Sequence, residues 1–298
     1  MEKFNLEKNK SENERIEEGK NPGLGIFNLH KDGINGNGIH VAIIDQNLDR
    51  EHSEYKNSIC DFRVYGDSDK EEISMHGPSV VSILSGKSLG VAPGSLIHYF
   101  NIPGGGIPEN IPEHVQSLKD IIEYNNSVVE ELKIKIISLS AGIKESIKIK
   151  EWEEIKNEVR QRGVTLLDSS KYTQEHFGYM CGGAEQNKDN VDSYRFPDWI
   201  MKNKDFDEIK KNFIIVPSDY RTRASSWTGV RKYEYDKEGG LSWSIPYFAG
   251  ILAMALQVNP KLTEKEFENI VKSSVIINKN GYKVINPQGI IEKAKNLI

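Results

Sequence analysis

The chain has 298 residues, 37% hydrophobic and 28% charged, and its 39 Lys and Arg against 44 Asp and Glu give a net charge of −5. This composition suits one large α/β domain and excludes a collagen, a coiled coil and a disulfide-bonded miniprotein. With no long basic block, the chain is not expected to bind nucleic acid. Its longest C-terminal apolar run, residues 247–258, is shorter than the ~20 residues that a bilayer requires, so no membrane span is expected.

Residues 1–20 carry charges of both signs, and their large apolar side chains are only Met1, Phe4, Leu6 and Ile16. The segment lacks the apolar stretch of a secretion signal, and its composition is typical of a disordered or loosely helical arm. From residue 21 onward we find no internal repeat and no linker rich in Pro, Gly or Ser. Residues 21–298 are therefore expected to form a single domain.

Apolar runs alternate with helix-length segments along the rest of the chain. Near-continuous hydrophobicity predicts strands that are covered on both faces. The predicted strands are residues 39–44, 96–100, 134–139, 164–167 and 213–216, and the predicted helices include residues 77–86, 112–132 and 147–162. This alternation predicts an α/β fold with a mostly parallel sheet, whose chemistry gathers at the carboxyl ends of the strands.

Three polar residues stand at positions where this architecture could place an active site. Asp45 ends the first strand, His76 begins a helix and is followed by Gly77, and Ser242 follows Gly240 at the start of an apolar helix. Each has an ordinary structural explanation when taken alone: a helix cap or turn for Asp45, a half-buried imidazole for His76 and an N-cap for Ser242. Pro246 is expected in the first helical turn, which would leave free backbone N–H groups around Ser242.

Taken together, in the order Asp, His, Ser, the three motifs resemble those of the subtilisin-like serine proteases. The segments 89–93 and 136–142 add to the similarity, which extends from about residue 21 to the C-terminal helix. The resemblance implies a three-layer fold in which helices flank a mostly parallel central sheet, and a catalytic domain over residues 21–298. It also implies a serine endopeptidase, a hydrolase that acts through an acyl-enzyme with His76 as the base and Asp45 as its partner. Such chemistry needs no metal and no organic cofactor.

The sequence departs from the family pattern at the oxyanion site. The family supplies an Asn shortly after the strand that corresponds to residues 164–167, whereas here Asp168 and Ser169 follow. Losing such a donor costs on the order of 10²–10³ in turnover. Ser170, Tyr172 and Thr173 are the candidate replacements, with a plain turn or loop as the alternative for each.

The family resemblance also implies where a peptide and a metal would bind. A peptide would lie between two extended segments, here Ser138, Leu139, Ser140, Ala141 and Gly142 on one side and Gly104 and Gly105 on the other. The alternative for the glycines is a flexible loop. Residues 85–91 are short and lack carboxylates, so we expect no calcium there, and we interpret Asp67, Asp69, Glu71 and Glu72 as a solvated loop rather than a metal site.

Three functional hypotheses follow. The first is a cytoplasmic peptidase for processing or turnover of peptide or protein substrates, since two cysteines and no secretion signal suit a reducing compartment. The second is a binding or regulatory pseudoprotease, because the oxyanion Asn is missing, and the third is an esterase-like hydrolase. By similarity to intracellular relatives, residues 1–20 could also be an inhibitory arm, with Phe4 or Leu6 anchored across the substrate groove.

Overall fold

A computed structural model describes residues 10–104, 107–143, 147 and 149–297, without the side chains of Lys171 and Tyr172. Its central sheet has five strands in the order β2-β3-β1-β4-β5, and every pairing in it is parallel. The prediction of an α/β fold with a mostly parallel central sheet is confirmed. The strands of this sheet are β1 (His40–Asp45), β2 (Ile59–Val64), β3 (Leu96–Asn101), β4 (Ile134–Leu139) and β5 (Thr165–Asp168).

The remaining strands form two smaller sheets. One has four strands in the order β10-β11-β7-β6, and the other is the antiparallel hairpin β8–β9. The predicted strand over residues 213–216 therefore exists, as β7, but it lies outside the central sheet. These strands are β6 (Tyr179–Gly182), β7 (Ile214–Pro217), β8 (Arg221–Ser225), β9 (Lys232–Asp236), β10 (Ile276–Ile277) and β11 (Lys283–Val284).

Helices cover both faces of the central sheet, and each face has its own apolar core. One core includes Val80 of α3 and Phe248 of α9, and the other includes Leu118 of α4 and Trp152 of α5. The helices are α1 (Glu12–Gly19), α2 (Ile26–Lys31), α3 (His76–Ser85), α4 (Ile111–Ser127), α5 (Lys150–Gln161), α6 (Lys171–Phe177), α7 (Asp198–Met201), α8 (Phe206–Asn212), α9 (Leu241–Val258), α10 (Glu264–Ser274) and α11 (Pro287–Asn296).

Helix α9 is the one described helix that is long and apolar enough to cross a bilayer by length and composition. However, 78% of it is buried inside the protein, as in the core helix of a globular domain. Its apolar side chains are therefore buried in the core that also contains Val80.

The N-terminal arm is a helix over part of its length. Ser11 caps α1 through a capping box with Glu14, and the Thr222 hydroxyl of β8 donates to the Ile16 carbonyl at 2.6 Å. Of the two alternatives expected for this arm, disordered or loosely helical, residues 12–19 take the helical one and pack on the β8–β9 hairpin. Phe4 and Leu6 lie outside the described residues.

Candidate active site

Asp45 and His76 meet at the carboxyl end of the central sheet. Asp45 is the last residue of β1, is 5% exposed and accepts a hydrogen bond from the Gln46 N–H at 2.8 Å. His76 is the first residue of α3, and its Nδ1 lies 2.8 and 2.9 Å from the two carboxylate oxygens of Asp45. Because a carboxylate only accepts, Nδ1 carries the proton and Nε2 keeps its lone pair.

A glycine allows α3 to start this close to β1. A Cβ on Gly77 would stand 2.5 Å from the Tyr99 hydroxyl and 2.6 Å from the Gln46 carbonyl oxygen. The Tyr99 hydroxyl itself donates to that carbonyl. Any larger residue would push the helix, and His76 with it, away from Asp45.

Burial and charge act in opposite directions on His76. Burial lowers the pKa of the ring, but the charge of Asp45 and its hydrogen bond outweigh this, so the net pKa is raised above its usual value. The cation of Arg223 acts against this rise. The imidazole is thus held in an environment that favours its charged form.

Arg223 belongs to a buried network that encloses the histidine. Its guanidinium contacts Asp236 at 2.6 Å and Glu234 at 2.8 Å, and it donates to the Ser79 hydroxyl at 3.2 Å. Trp243 donates its Nε1–H to Asp236 at 3.1 Å, and its ring centroid lies 5.2 Å from that of His76. The network ties the β8–β9 hairpin to α3 and α9.

Ser242 is the second residue of α9, immediately before Trp243. The turn that precedes it is held by Asp219, whose carboxylate accepts the Gly239 N–H at 2.8 Å and whose pKa is raised by burial. Only glycine fits at position 239, because a Cβ there would collide with the Ser218 carbonyl. The first N–H groups of a helix have no intrahelical partner, so the Ser242 backbone is suited to an anionic oxygen.

Pro246 lies in the second turn of α9, not in the first as expected. At that position a regular helix would donate an N–H to the Ser242 carbonyl, which proline cannot do. The Ser140 hydroxyl donates to this carbonyl instead, at 2.9 Å, and the Ser242 hydroxyl donates to the Ser140 carbonyl at 3.3 Å. In the described part of the chain, the Ser242 hydroxyl makes this hydrogen bond and none to His76.

The candidate oxyanion donors lie after β5, at the start of α6. The Ser170 hydroxyl donates to Asp168 at 2.5 Å, caps the Thr173 N–H and lies 3.2 Å from the Thr173 hydroxyl. Since a hydroxyl has one proton, that of Ser170 is committed to Asp168. Thr173 is buried beneath this cap, and the side chain of Tyr172 lies outside the described residues. Tyr172 therefore stays a prediction.

The predicted substrate segments divide into buried and accessible parts. Ser138 and Leu139 are 1% exposed inside β4, where Ser138 pairs with Ile43 on one side and Leu167 on the other. Ser138 therefore has no unpaired edge to offer a peptide, whereas Leu139 pairs in the described register with Asp168 of β5 alone. The assignment of both residues to substrate binding stays a prediction. Ser140, at 8% exposure, ends the buried run, and the accessible part is Ala141 and Gly142, which are half-buried beyond it.

The second predicted segment is held by an acidic side chain. Gly104 is exposed, and its N–H donates to Glu71 at 2.8 Å, whereas Gly105 lies outside the described residues. Glu71 thus fixes a loop. Asp67 is paired with Lys70 at the surface.

Sequence reasoning missed Arg223, Asp219 and Trp243. The available signal was strongest for Asp219, which stands two residues past the carboxyl end of β7. Arg223 lies in a strand outside the central sheet, and Trp243 is an apolar residue of a core helix, so neither carried a recognisable pattern. The packing of the hairpin on α3 and α9 brings both to His76, where Trp243 contacts the ring and Arg223 acts by its charge.

Comparison with known proteins gives one family match and several structures of similar fold. The family model described as the subtilase family of peptidases matches residues 36–218. Among solved structures, the prenylagaramide maturation protease PagA matches with a TM-score of 0.62 and 17% identity, over 91% of this chain and 99% of its own.

Two further structures share the fold. Fervidolysin from Fervidobacterium pennivorans, a keratinolytic enzyme related to subtilisin, matches with a TM-score of 0.64 and 13% identity over 90% of this chain and 44% of its own. A mutant of the protease domain of PatA matches with a TM-score of 0.58 and 16% identity, over 89% of this chain and 98% of its own. At these identities the likeness concerns the fold.

Proposed function

The chain belongs to the subtilase family and is a serine-type peptidase, a hydrolase, and we propose that it cleaves internal peptide bonds through Asp45, His76 and Ser242. The observation that carries this assignment is the hydrogen-bonded pair of Asp45 and His76 at the end of β1. The His76 ring packs against Trp243, which is the neighbour of Ser242 at the start of α9.

The proposed reaction uses these groups in the order of a serine protease. Nε2 of His76 takes the proton of Ser242 as Oγ attacks the peptide carbonyl carbon, and it returns this proton to the amine when the C–N bond breaks. A water molecule, deprotonated by His76, then hydrolyses the acyl-enzyme. Asp45 stabilises the imidazolium in both steps. Before the attack, the Ser242 hydroxyl must turn from the Ser140 carbonyl towards His76.

We propose peptide processing inside the cell as the biological role. PagA, which shares the fold over nearly its whole length, is described as a maturation protease, and this supports processing over general turnover. The free thiols of Cys60 and Cys181 support a reducing compartment. Recovery of the tagged protein from the cytosolic fraction rather than the medium would agree with this location.

Active-site labelling tests the assignment. A fluorophosphonate should label Ser242 in the full chain and fail to label Ser242→Ala, whereas Ser244→Ala, in which a buried neighbour on α9 is changed, should remain labelled. His76→Ala should label at least tenfold more slowly, because the base is lost. Mass spectrometry of a digested unstructured protein would then show cuts at internal bonds. A folded wild-type protein that does not react at Ser242 would contradict the proposal.

A specific observation favours a second candidate, a binding pseudoprotease. The Ser242 hydroxyl donates to Ser140, and the proton of Ser170 is committed to Asp168, so neither side chain is set up for turnover in this state. Such a protein would bind peptides without labelling at Ser242. The same experiment therefore separates the two candidates.

A further inference from the structure

Three side chains of metal-binding types lie together near the amino ends of the central strands, whereas Asp45 lies at the carboxyl end of β1. His40 is the first residue of β1, Cys60 the second of β2 and His98 the third of β3. These strands are neighbours in the order β2-β3-β1, so one side chain comes from each of three adjacent strands. Among the described residues, no other group of three or more His, Cys, Asp or Glu side chains is this closely clustered.

A β-bulge brings Cys60 into the cluster. Ile59 pairs with Ile97 and Asp61 pairs with His98, so Cys60 is an extra residue between two successive rungs of the ladder. A bulge turns a side chain away from the direction that a regular strand would give it. The thiol sulfur lies 3.4 Å from the Ile97 carbonyl oxygen, next to His98. This irregularity has no other evident use in the fold.

The donor atoms are spaced closely enough to share one ion. Nδ1 of His40 lies 2.8 Å from Nε2 of His98, and one ring nitrogen of each histidine and the Cys60 sulfur all lie within 4.8 Å of one another. Tetrahedral zinc, with bonds of about 2.0–2.3 Å, holds its ligands about 3.3–3.7 Å apart, so the donors need to move by roughly 1 Å. Both imidazoles are buried, at 7% and 3% exposure, whereas Cys60 is exposed and leaves a path from solvent.

The second ring nitrogen of His98 supports the same conclusion. Nδ1 is buried and makes no hydrogen bond in the described part of the chain, but it lies 3.6 Å from a carboxylate oxygen of Asp61. Asp61 is in turn held by the Arg63 guanidinium at 2.9 Å. Histidines that ligate metals commonly present their other N–H to a carboxylate, which orients the ring.

We propose that His40, Cys60 and His98 bind a zinc ion that joins β1, β2 and β3 and stabilises the sheet. Imidazole and thiolate ligands suit zinc, whereas they are poor ligands for calcium or magnesium. The thiol gives up its proton on binding, and the proton shared by the two imidazoles moves to an outer ring nitrogen. This site is independent of the peptidase chemistry, because it lies at the amino ends of the strands.

Cobalt titration of the full chain tests the site, because Co²⁺ reports a bound thiolate by a charge-transfer absorption. We expect one equivalent of Co²⁺ to produce this band in the wild type and in Cys181→Ser, the matched cysteine control, and Zn²⁺ to abolish it by displacement. Cys60→Ser should lose the band. It should still fold and keep its peptidase activity, since Cys60 is exposed and remote from Asp45.

Affinity and stability provide the second measurement. Asp61→Asn should weaken Zn²⁺ binding by about 10-fold or more through the orientation of His98. Zn²⁺ should raise the Tm of the wild type and of Cys181→Ser but not that of Cys60→Ser. A wild type without the band, or a band that survives in Cys60→Ser, would overturn the proposal, and the cluster would then be a histidine–histidine hydrogen bond beside a thiol.

Discussion

At the scale of single residues, the state of His76 depends on two opposing charges. Asp45 accepts its Nδ1–H and raises its pKa, while the positive charge of Arg223 opposes this rise. Asp236 and Glu234 neutralise Arg223 and also keep it in place. The hairpin that carries these charges therefore makes a smaller contribution to the His76 pKa than burial and Asp45 do.

The pH dependence of kcat/KM should report this balance. His76 must be neutral to act as a base, so kcat/KM should rise with pH through the His76 pKa, which lies above that of a free imidazole. Asp45→Asn removes the negative charge, so this acid limb should move to lower pH. The same change should lower kcat by about 10⁴-fold, because the amide can hold the wrong tautomer.

A matched control for this variant is Asp67→Asn, which changes an exposed carboxylate paired with Lys70. It should leave both kcat and the acid limb in place. If Asp45→Asn retains the parent rate and the parent profile while folded, Asp45 has only a structural role.

At the scale of elements, the start of α9 is attached to the end of β4 by two hydrogen bonds between Ser140 and Ser242. One of them compensates for Pro246, which lacks the N–H that the Ser242 carbonyl would otherwise accept. Asp219 holds the other side of the same turn through Gly239. The proposed nucleophile is thus positioned by a strand and a turn as well as by its own helix.

A double-mutant cycle tests this compensation. Ser140→Ala should lower the free energy of unfolding by about 1–3 kcal/mol, because it leaves the Ser242 carbonyl without its donor. In a Pro246→Ala background the helix supplies its own N–H, so the same change should cost less. Urea unfolding of the four proteins gives the coupling energy. Equal costs of Ser140→Ala in both backgrounds would show that Pro246 and Ser140 are unrelated.

At the scale of the whole molecule, the described part of the N-terminal arm packs on the rest of the chain. Helix α1 packs on the hairpin that carries Arg223 and Asp236, and Lys188 donates to the Gly19 and Asn21 carbonyls at 3.1 Å. Deleting the arm as a unit would disturb the hairpin as well as uncover any groove. A shorter deletion that ends before residue 10, where the described chain begins, would separate loss of the hairpin contacts from uncovering of the groove.

We expect deletion of residues 1–9 to raise kcat/KM for a small peptide severalfold without changing the Tm. This deletion removes Phe4 and Leu6, the proposed groove anchors, and retains the capping box of α1. Deletion of residues 1–20 should in addition lower the Tm, because the contacts of α1 with β8 are lost. Kinetics that do not change on removal of residues 1–9 would show that the arm is not an inhibitor.

The sequence by itself determined four of the five strands of the central sheet and the order of the candidate triad. It did not predict β2 (Ile59–Val64), which is an edge strand without a continuous buried run. Runs such as residues 39–44 are apolar throughout because both sheet faces are covered, and all six residues of β1 are buried. This pattern is local, so it can be recognised without the fold. Asp45, His76 and Ser242 were singled out because their motifs, in a fixed order, resemble those of one family, and their chemistry stays a prediction. Their hydrogen bonds were not predictable, since 31 residues separate Asp45 from His76.

The tertiary structure decided what depends on which segments become neighbours. Ser138 and Leu139 are buried because β4 lies inside the sheet, and the Ser170 proton is committed because α6 begins beside Asp168. Likewise, α1 is a charged segment whose contacts come from β8 and β9. The cluster of His40, Cys60 and His98 exists only because β3 lies between β2 and β1. Strand order and the burial that follows from it are properties of long-range pairing, for which no local pattern of residues is sufficient.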